Sequence, residues 1–238
     1  AVAKFVEKVK ARAMEQLVLP EGKTPAGELA RYKRFLKDEA TRLKKLHRSS
    51  GLGREVCMAR AAVIDAMLQH LLRTAIELAP LGKFKKVPSL AVIALGGYGR
   101  GELNPHSDID IQFLCEDRLL NGAKPHEFLK SVTDAVLYTL WDVGLKIGHS
   151  VRRVRDCVEE ANKDMQSKTA LIEARCVTGD EALFKKMEKV VHAKCVKPYI
   201  DEYIVARLED QASRHARHGN AVTMQEPDIK NGCGGLRD

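Results

Sequence analysis

The sequence predicts an α+β chain with a helical N-terminal segment, a small αβ core and a C-terminal helical bundle. Two observations carry this prediction. Apolar residues recur three and four apart through the first third of the chain and again after residue 154. Between those stretches, short apolar or alternating runs bounded by Gly and Pro take over, the pattern of strands. On this basis residues 1–82 form the helical segment, 83–153 the core, and 154–238 a second helical region ending in a Gly-rich loop.

Residues 1–18 and 26–48 have helical periodicity, as in Leu29, Tyr32, Leu36 and Leu43, and the intervening LPEGKTPAG breaks them apart. A third helix over about 54–79 lines up Val56, Ala59, Val63, Ala66, Met67 and Leu71, and Pro80 and Gly82 end it. The run SLAVIAL (89–95) suits a buried strand. DIDIQFL (108–114) alternates polar and apolar, as a half-buried strand does. GGYGRGELNPHS between them is too rich in Gly and Pro for regular structure. A helix starts near Pro125, which suits a first turn, buries Leu129, Val132, Val136 and Leu140, and stops at Gly144. LKIGHSVR (145–152) alternates again, with Leu145, Ile147, His149 and Val151 on one face and Lys146, Gly148, Ser150 and Arg152 on the other. Residues 154–218 read as helical, with breaks near Gly179-Asp180 and Pro198.

Composition narrows the function classes. At 238 residues, 45% apolar and 30% charged, the chain falls in the globular range, which excludes wholesale disorder and a collagen-like fibre. No run approaches the ~18 apolar residues of a membrane span. The opening AVAKFVEKVKARAMEQ has no signal-peptide stretch, so the expectation is a cytoplasmic protein with no membrane partner. Residues 1–50 hold 13 Lys/Arg against 6 Asp/Glu, nearly the whole net charge of +8. That local excess reads as a solvated helical face, and nucleic acid is not the expected partner. Tyr32 and Phe35 are too few for a single-strand stacking platform, and a nucleic-acid reading would predict affinity falling steeply with salt. The six cysteines form no C-x-x-C pair and no zinc-finger spacing, so reduced thiols, several of them buried, are expected.

The chemistry concentrates in Gly96-Gly97-Tyr98-Gly99-Arg100, joined by a short loop to Asp108-Ile109-Asp110. Aspartates at i and i+2 on a strand share a face, while Ile109 and Ile111 pack behind. Paired carboxylates repel each other and persist where a divalent cation satisfies them; Mg2+ is the usual oxygen-liganded ion of phosphate chemistry, with Mn2+ as the alternative. The glycines let backbone N–H groups approach a phosphate. A phosphate cradle beside a two-carboxylate metal site is equipment for phosphoryl or nucleotidyl transfer. It is not a P-loop, since no Gly-Lys-Ser/Thr follows, nor a dinucleotide fingerprint, since an acidic strand follows in place of a helix. The plain alternative is a surface turn followed by a capped edge strand.

The block LGGYGRGELNPHSDIDIQFL resembles the nucleotidyltransferase domain of the bacterial PII uridylyltransferases, within the polymerase-beta-like superfamily. The likeness continues through LWDVGLKIGHSVR, TALIEARCVTGD and EPDIKNGCGGLRD. It implies a small mixed sheet with flanking helices and a helical region that helps hold the nucleotide. It also implies transfer of UMP from UTP to a tyrosine hydroxyl of a PII nitrogen-signalling protein, with release of pyrophosphate. Carried over, Gly96 and Gly97 bind phosphates, and Asp108 and Asp110 hold Mg2+ and carry catalysis. Arg100 either contacts a phosphate or pairs with Glu102 or a helix end. Ser150 and Arg152 touch nucleotide, whereas His149 reads as structural.

Some departures qualify the likeness. The superfamily often has a third carboxylate on a neighbouring strand, and LKIGHSVR has none; Asp142 and Glu173 are conceivable replacements. Cys233 stands where the family usually has proline in GPGGLRD, and Lys230 and Arg237 in that loop either lean over the site or are solvated. Family members continue beyond GGLRD into an HD hydrolase and two ACT domains. This chain has no His-Asp dipeptide, so it is expected to be an excised domain without hydrolysis or glutamine sensing. Two competing readings are adenylylation of PII or a related protein with ATP, and a catalytically silent nucleotide-binding regulator. His215 and His218, three apart, read as an exposed polar face, and Tyr138 and Trp141 as core.

Overall fold

The computed structural model describes residues 2–122, 124–223 and 225–235. Three helices come first: α1 (Val2–Gln16), α2 (Leu29–Ser50) and α3 (Gly53–Leu78). Val9 and Ala13 form the buried stripe of α1, and Leu17 follows it into the core. Arg12 of α1 donates twice to Glu39 of α2, at 2.6 and 2.7 Å, which lets that carboxylate be fully buried. The αL residue Gly51 ends α2, its N–H donating to His47 O. α3 is buried along most of its length and packs on α1, α2 and the core. Tyr32 and Phe35 are fully buried, so neither is available to stack on a nucleic-acid base.

The core is a four-stranded mixed sheet in the order β5-β2-β1-β6. Its strands are β1 (Leu90–Ala94), β2 (Ile109–Cys115), β5 (Ile147–Arg152) and β6 (Arg175–Gly179). β1 lies antiparallel to β2 and β6, and β2 runs parallel to β5. Between β1 and β2 sits a single helical turn, α4 (Gly96–Gly99). A two-residue ladder, β3 (Leu120–Asn121) with β4 (Lys124–Pro125), precedes α5 (Glu127–Asp142). The remaining helices are α6 (Val154–Lys163), α7 (Met165–Ile172), α8 (Glu181–Val191) and α9 (Ile200–Arg217).

Strand periodicity sorts the core into two layers. Leu90, Val92, Ala94, Ile109, Ile111 and Phe113 face α1–α3 and α5, whereas Ala91, Ile93 and Leu114 face α6–α8 with Cys157, Leu171 and Met187. The architecture is the expected α+β one, with three local differences. The GGYG segment, read as loop, closes one helical turn. α5 starts two residues after Pro125, and His126 caps it by accepting from Phe128 N–H at 3.1 Å. RCVTG, read within a helical stretch, is the edge strand β6. The six cysteines are free thiols, four of them buried. No helix among the described residues is long and apolar enough to cross a membrane.

Candidate active site

β1 delivers the chain into α4 beside the start of β2, where Leu95 N–H donates to Asp110 O at 3.0 Å. Gly96 opens the turn at φ +56°, a left-handed value that an L side chain resists. The first N–H groups of such a turn have no intrahelical acceptor and are free for an anion. The centre of the turn is fixed from below. Tyr98 is buried and donates its hydroxyl to Asp65 of α3 at 2.7 Å. Arg175 of β6 donates to both Asp65 oxygens, at 2.9 and 3.0 Å, and to Tyr98 O at 3.3 Å. Burial, then the Asp65 charge, pushes the Tyr98 hydroxyl well above its ordinary pKa, so it remains a donor. Two elements distant in sequence, α3 and β6, thus converge on one glycine turn.

Asp108 and Asp110 are exposed, while Ile109 and Ile111 on the other face are 1% exposed, as the alternation predicts. Partial burial, and then the neighbouring Asp108 charge, raise the Asp110 carboxyl above the usual carboxylate range. Asp110 lies opposite Gly148 of β5, and an ideal Cβ at 148 would sit 2.3 Å from Asp110 Oδ1. The carboxylate therefore occupies the space that a side chain on β5 would fill. Gln112, next on this face, is fully buried and donates to Cys157 Sγ at 3.2 Å. Ser150 Oγ lies 3.5 Å from Gln112 Oε1.

The two carboxylates suit a hard divalent cation. Among the described residues neither has an ion-pair partner, and one is destabilised by the other, a conflict that a cation relieves. No cluster of three or more potential ligands occurs among the described residues. Two carboxylates, with the remaining positions left to phosphate and water, is a common Mg2+ arrangement.

The structure thus brings Gly96, Gly97, Asp108 and Asp110 together, with Ser150 on the same face. Arg152 lies four residues beyond Gly148, about 13 Å along the strand at ordinary rise, and pairs with Glu160 at 3.5 Å. Arg100 donates to Glu173 at 2.6 Å and lies 3.8 Å from Glu102, so its pairing role is the one seen. Glu173 is thereby engaged by Arg100, and Asp142 is exposed at the end of α5. Neither joins the carboxylate pair.

His218 contacts Asp228 at 3.1 Å, tying the loop that carries Lys230 back to the end of α9; Arg237 lies outside the described residues. Tyr138 and Trp141, expected in the core, are exposed, and so is His149. Sequence reasoning missed the parts that Asp65, Arg175 and Gly148 play around the glycine turn and the carboxylate pair. A carboxylate between Val63 and Ala66 on a buried helix, and a glycine inside an alternating strand, were the available signals.

Comparison with known proteins finds two family models. One, described as glutamate-ammonia ligase adenylyltransferase, matches residues 26–139, and another, described as GlnD PII-uridylyltransferase, matches residues 202–238. A bifunctional uridylyltransferase/uridylyl-removing enzyme of Cereibacter sphaeroides is 38% identical over 186 residues, covering 78% of this chain and 19% of that protein. Proteins of the same name are 39% identical in Rhodopseudomonas palustris and 41% in Novosphingobium aromaticivorans, each over 149 residues. These alignments cover 63% of this chain and 15% and 16% of the respective relatives. The chain thus matches less than a fifth of the length of these relatives.

Proposed function

Because this chain is a nucleotidyltransferase domain of the PII-uridylyltransferase family, we propose that it transfers UMP from UTP to a tyrosine hydroxyl of a PII-type nitrogen-signalling protein. The observation that carries this reading is the carboxylate pair Asp108/Asp110 set directly beside the Gly96-Gly97 turn. In the reaction the acceptor oxygen attacks the α-phosphorus. The bond from that phosphorus to the oxygen bridging to the β-phosphorus breaks, and pyrophosphate leaves with the electron pair. The N–H groups that open α4 hold phosphate oxygens, and the Asp65–Arg175–Tyr98 anchor keeps that turn in place. Asp108 and Asp110 hold Mg2+, or Mn2+ in its place, which when bound supplies charge neutralisation of the phosphates. With no third carboxylate beside the pair among the described residues, the phenolic proton passes to Asp110 or to solvent.

A second reading, AMP from ATP, is favoured by one observation. The family model covering both carboxylates is that of an adenylyltransferase. The glycine turn and the aspartates meet only phosphates and metal, so they serve either nucleotide.

The test offers UTP and ATP separately, with Mg2+, to the chain and a purified PII-type protein, followed by intact-protein mass spectrometry. The expected result is a UMP adduct that is lost in Asp108→Ala and in Asp110→Ala while both variants remain folded. An AMP adduct selects the second reading. Nucleotide binding with no adduct on any PII-type protein means a silent regulator and overturns the transferase assignment.

A further inference from the structure

We propose that Trp141 is the platform on which the acceptor polypeptide lays its tyrosine ring, an inference that rests on the transferase reading above. The carboxylate pair has two flanks. On the β1 side stands the Gly96-Gly97 turn, which takes the phosphates of the donor. On the β5 side opens a groove of about 640 Å3 lined by Asp108, Asp110, Trp141, Lys146 and Gly148. Because residue 148 has no side chain, Asp110 reaches over β5 toward this groove. Trp141 borders the groove from the face on which His149 lies and the carboxylates border it from the other, so a phenol laid on the indole reaches the carboxylates past the bare strand edge at Gly148, on the flank away from the phosphates.

Trp141 stands off the core stripe of its helix. α5 fills the core with Phe128, Leu129, Val132, Val136, Leu137 and Leu140, and leaves Trp141 40% exposed on its last turn. The indole is nevertheless held in place. Its ring stands edge-on to Tyr138 at 5.7 Å between centroids and to His149 at 5.5 Å, and both of these are exposed too. A pre-positioned, water-exposed indole in the wall of a reaction groove is suited to receive a flat apolar ring with a polar tip. The donor's phosphates are bound on the far flank, so the ring that fits this wall is the acceptor tyrosine.

The chain has a single tryptophan, so its intrinsic emission reports this one place. The experiment titrates the chain with a tryptophan-free PII-type protein, and separately with UTP and Mg2+, while following that emission. Acceptor is expected to change the emission saturably, and nucleotide to leave it nearly unchanged. In steady-state transfer, Trp141→Ala raises the KM for acceptor about tenfold with UTP affinity unchanged, and Trp141→Phe restores most of the loss. Emission that answers to UTP and not to acceptor overturns the proposal, as does an unchanged acceptor KM in Trp141→Ala. Should Trp141→Ala fail to fold, the wild-type titration and Trp141→Phe decide alone. An active wild type whose tryptophan is silent toward acceptor sinks this inference only. A wild type that modifies no PII-type protein sinks the transferase reading, and this inference with it.

Discussion

Replacing Gly148 by alanine adds one methyl group at the point where Asp110 leans over the neighbouring strand. The new Cβ would stand 2.3 Å from Asp110 Oδ1, whereas ordinary contact begins at 3.4 Å. The nearest backbone atom is Asp110 Cα at 4.0 Å, so only the carboxylate is in the way. It must retreat by about 1 Å, a displacement that in a reacting site costs about 100-fold in rate. The strand should not suffer, because Gly148 lacks a left-handed φ and alanine in a strand interior is favoured over glycine by about 0.5–1 kcal/mol. Gly148→Ala is therefore expected to lower the rate of adduct formation about 100-fold while the melting temperature stays level or rises slightly. The assay pairs intact-mass time courses at saturating substrates with thermal melts of the same preparations. Wild-type rates in Gly148→Ala would refute the reasoning, since Asp110 would then tolerate displacement. Loss of activity accompanied by loss of the folded state would refute the separation of site from scaffold.

Two further outcomes follow from polar side chains of α3 and β6. Arg175→Met removes both bonds to Asp65 and the one to Tyr98 O; urea melts should show about 2 kcal/mol less stability, and nucleotide affinity should fall as the glycine turn loosens. Unchanged nucleotide affinity would mean the turn is held by other contacts. His70 of α3 is buried against Tyr32, and burial, with help from the Arg73 and Arg31 charges, lowers its pKa to about 4. Because the folded value lies below the unfolded one of about 6.5, only the unfolded chain takes up this proton as the pH drops from 6.5 toward 4. Stability should therefore fall through that window by up to about 3 kcal/mol on this account. Urea melts at pH 7, 5.5 and 4.5 check it, and an identical slope in His70→Leu would assign the acid sensitivity elsewhere.

Much of the fold could be read in advance because periodicity reports which face of an element is apolar. It placed α1–α3, β1, β2 and β5, and the DID alternation set Asp108 and Asp110 opposite Ile109 and Ile111. Periodicity does not report how far a face is covered, and that is where the reading departs from the structure. His149 shares a face with Ile147 and Val151, but β5 is the sheet edge and leaves it exposed. Trp141 follows Leu140 by one position, about 100° round the helix, and so turns off the buried stripe. β6 is five residues long and carries no strict alternation, so it merged with the helices around it. The Asp65–Arg175–Tyr98 anchor was invisible because nothing local links residues so distant in sequence, and only the sheet order brings them together.

That distance also sets a chronology. Asp65 and Arg175 are 110 residues apart, and β1 finds its outer partner only in β6. Contacts of such separation must overcome loop-closure entropy before they return any stability, so they form late. On a ribosome adding 5–20 residues per second, roughly 5–20 s pass between the emergence of α3 and of the strand that locks it to the glycine turn. During that interval the nascent chain already displays both carboxylates, yet holds no secured cradle beside them. The anchor beneath the glycine turn is thus completed only once β6 has been made, well after the turn and the carboxylate pair themselves.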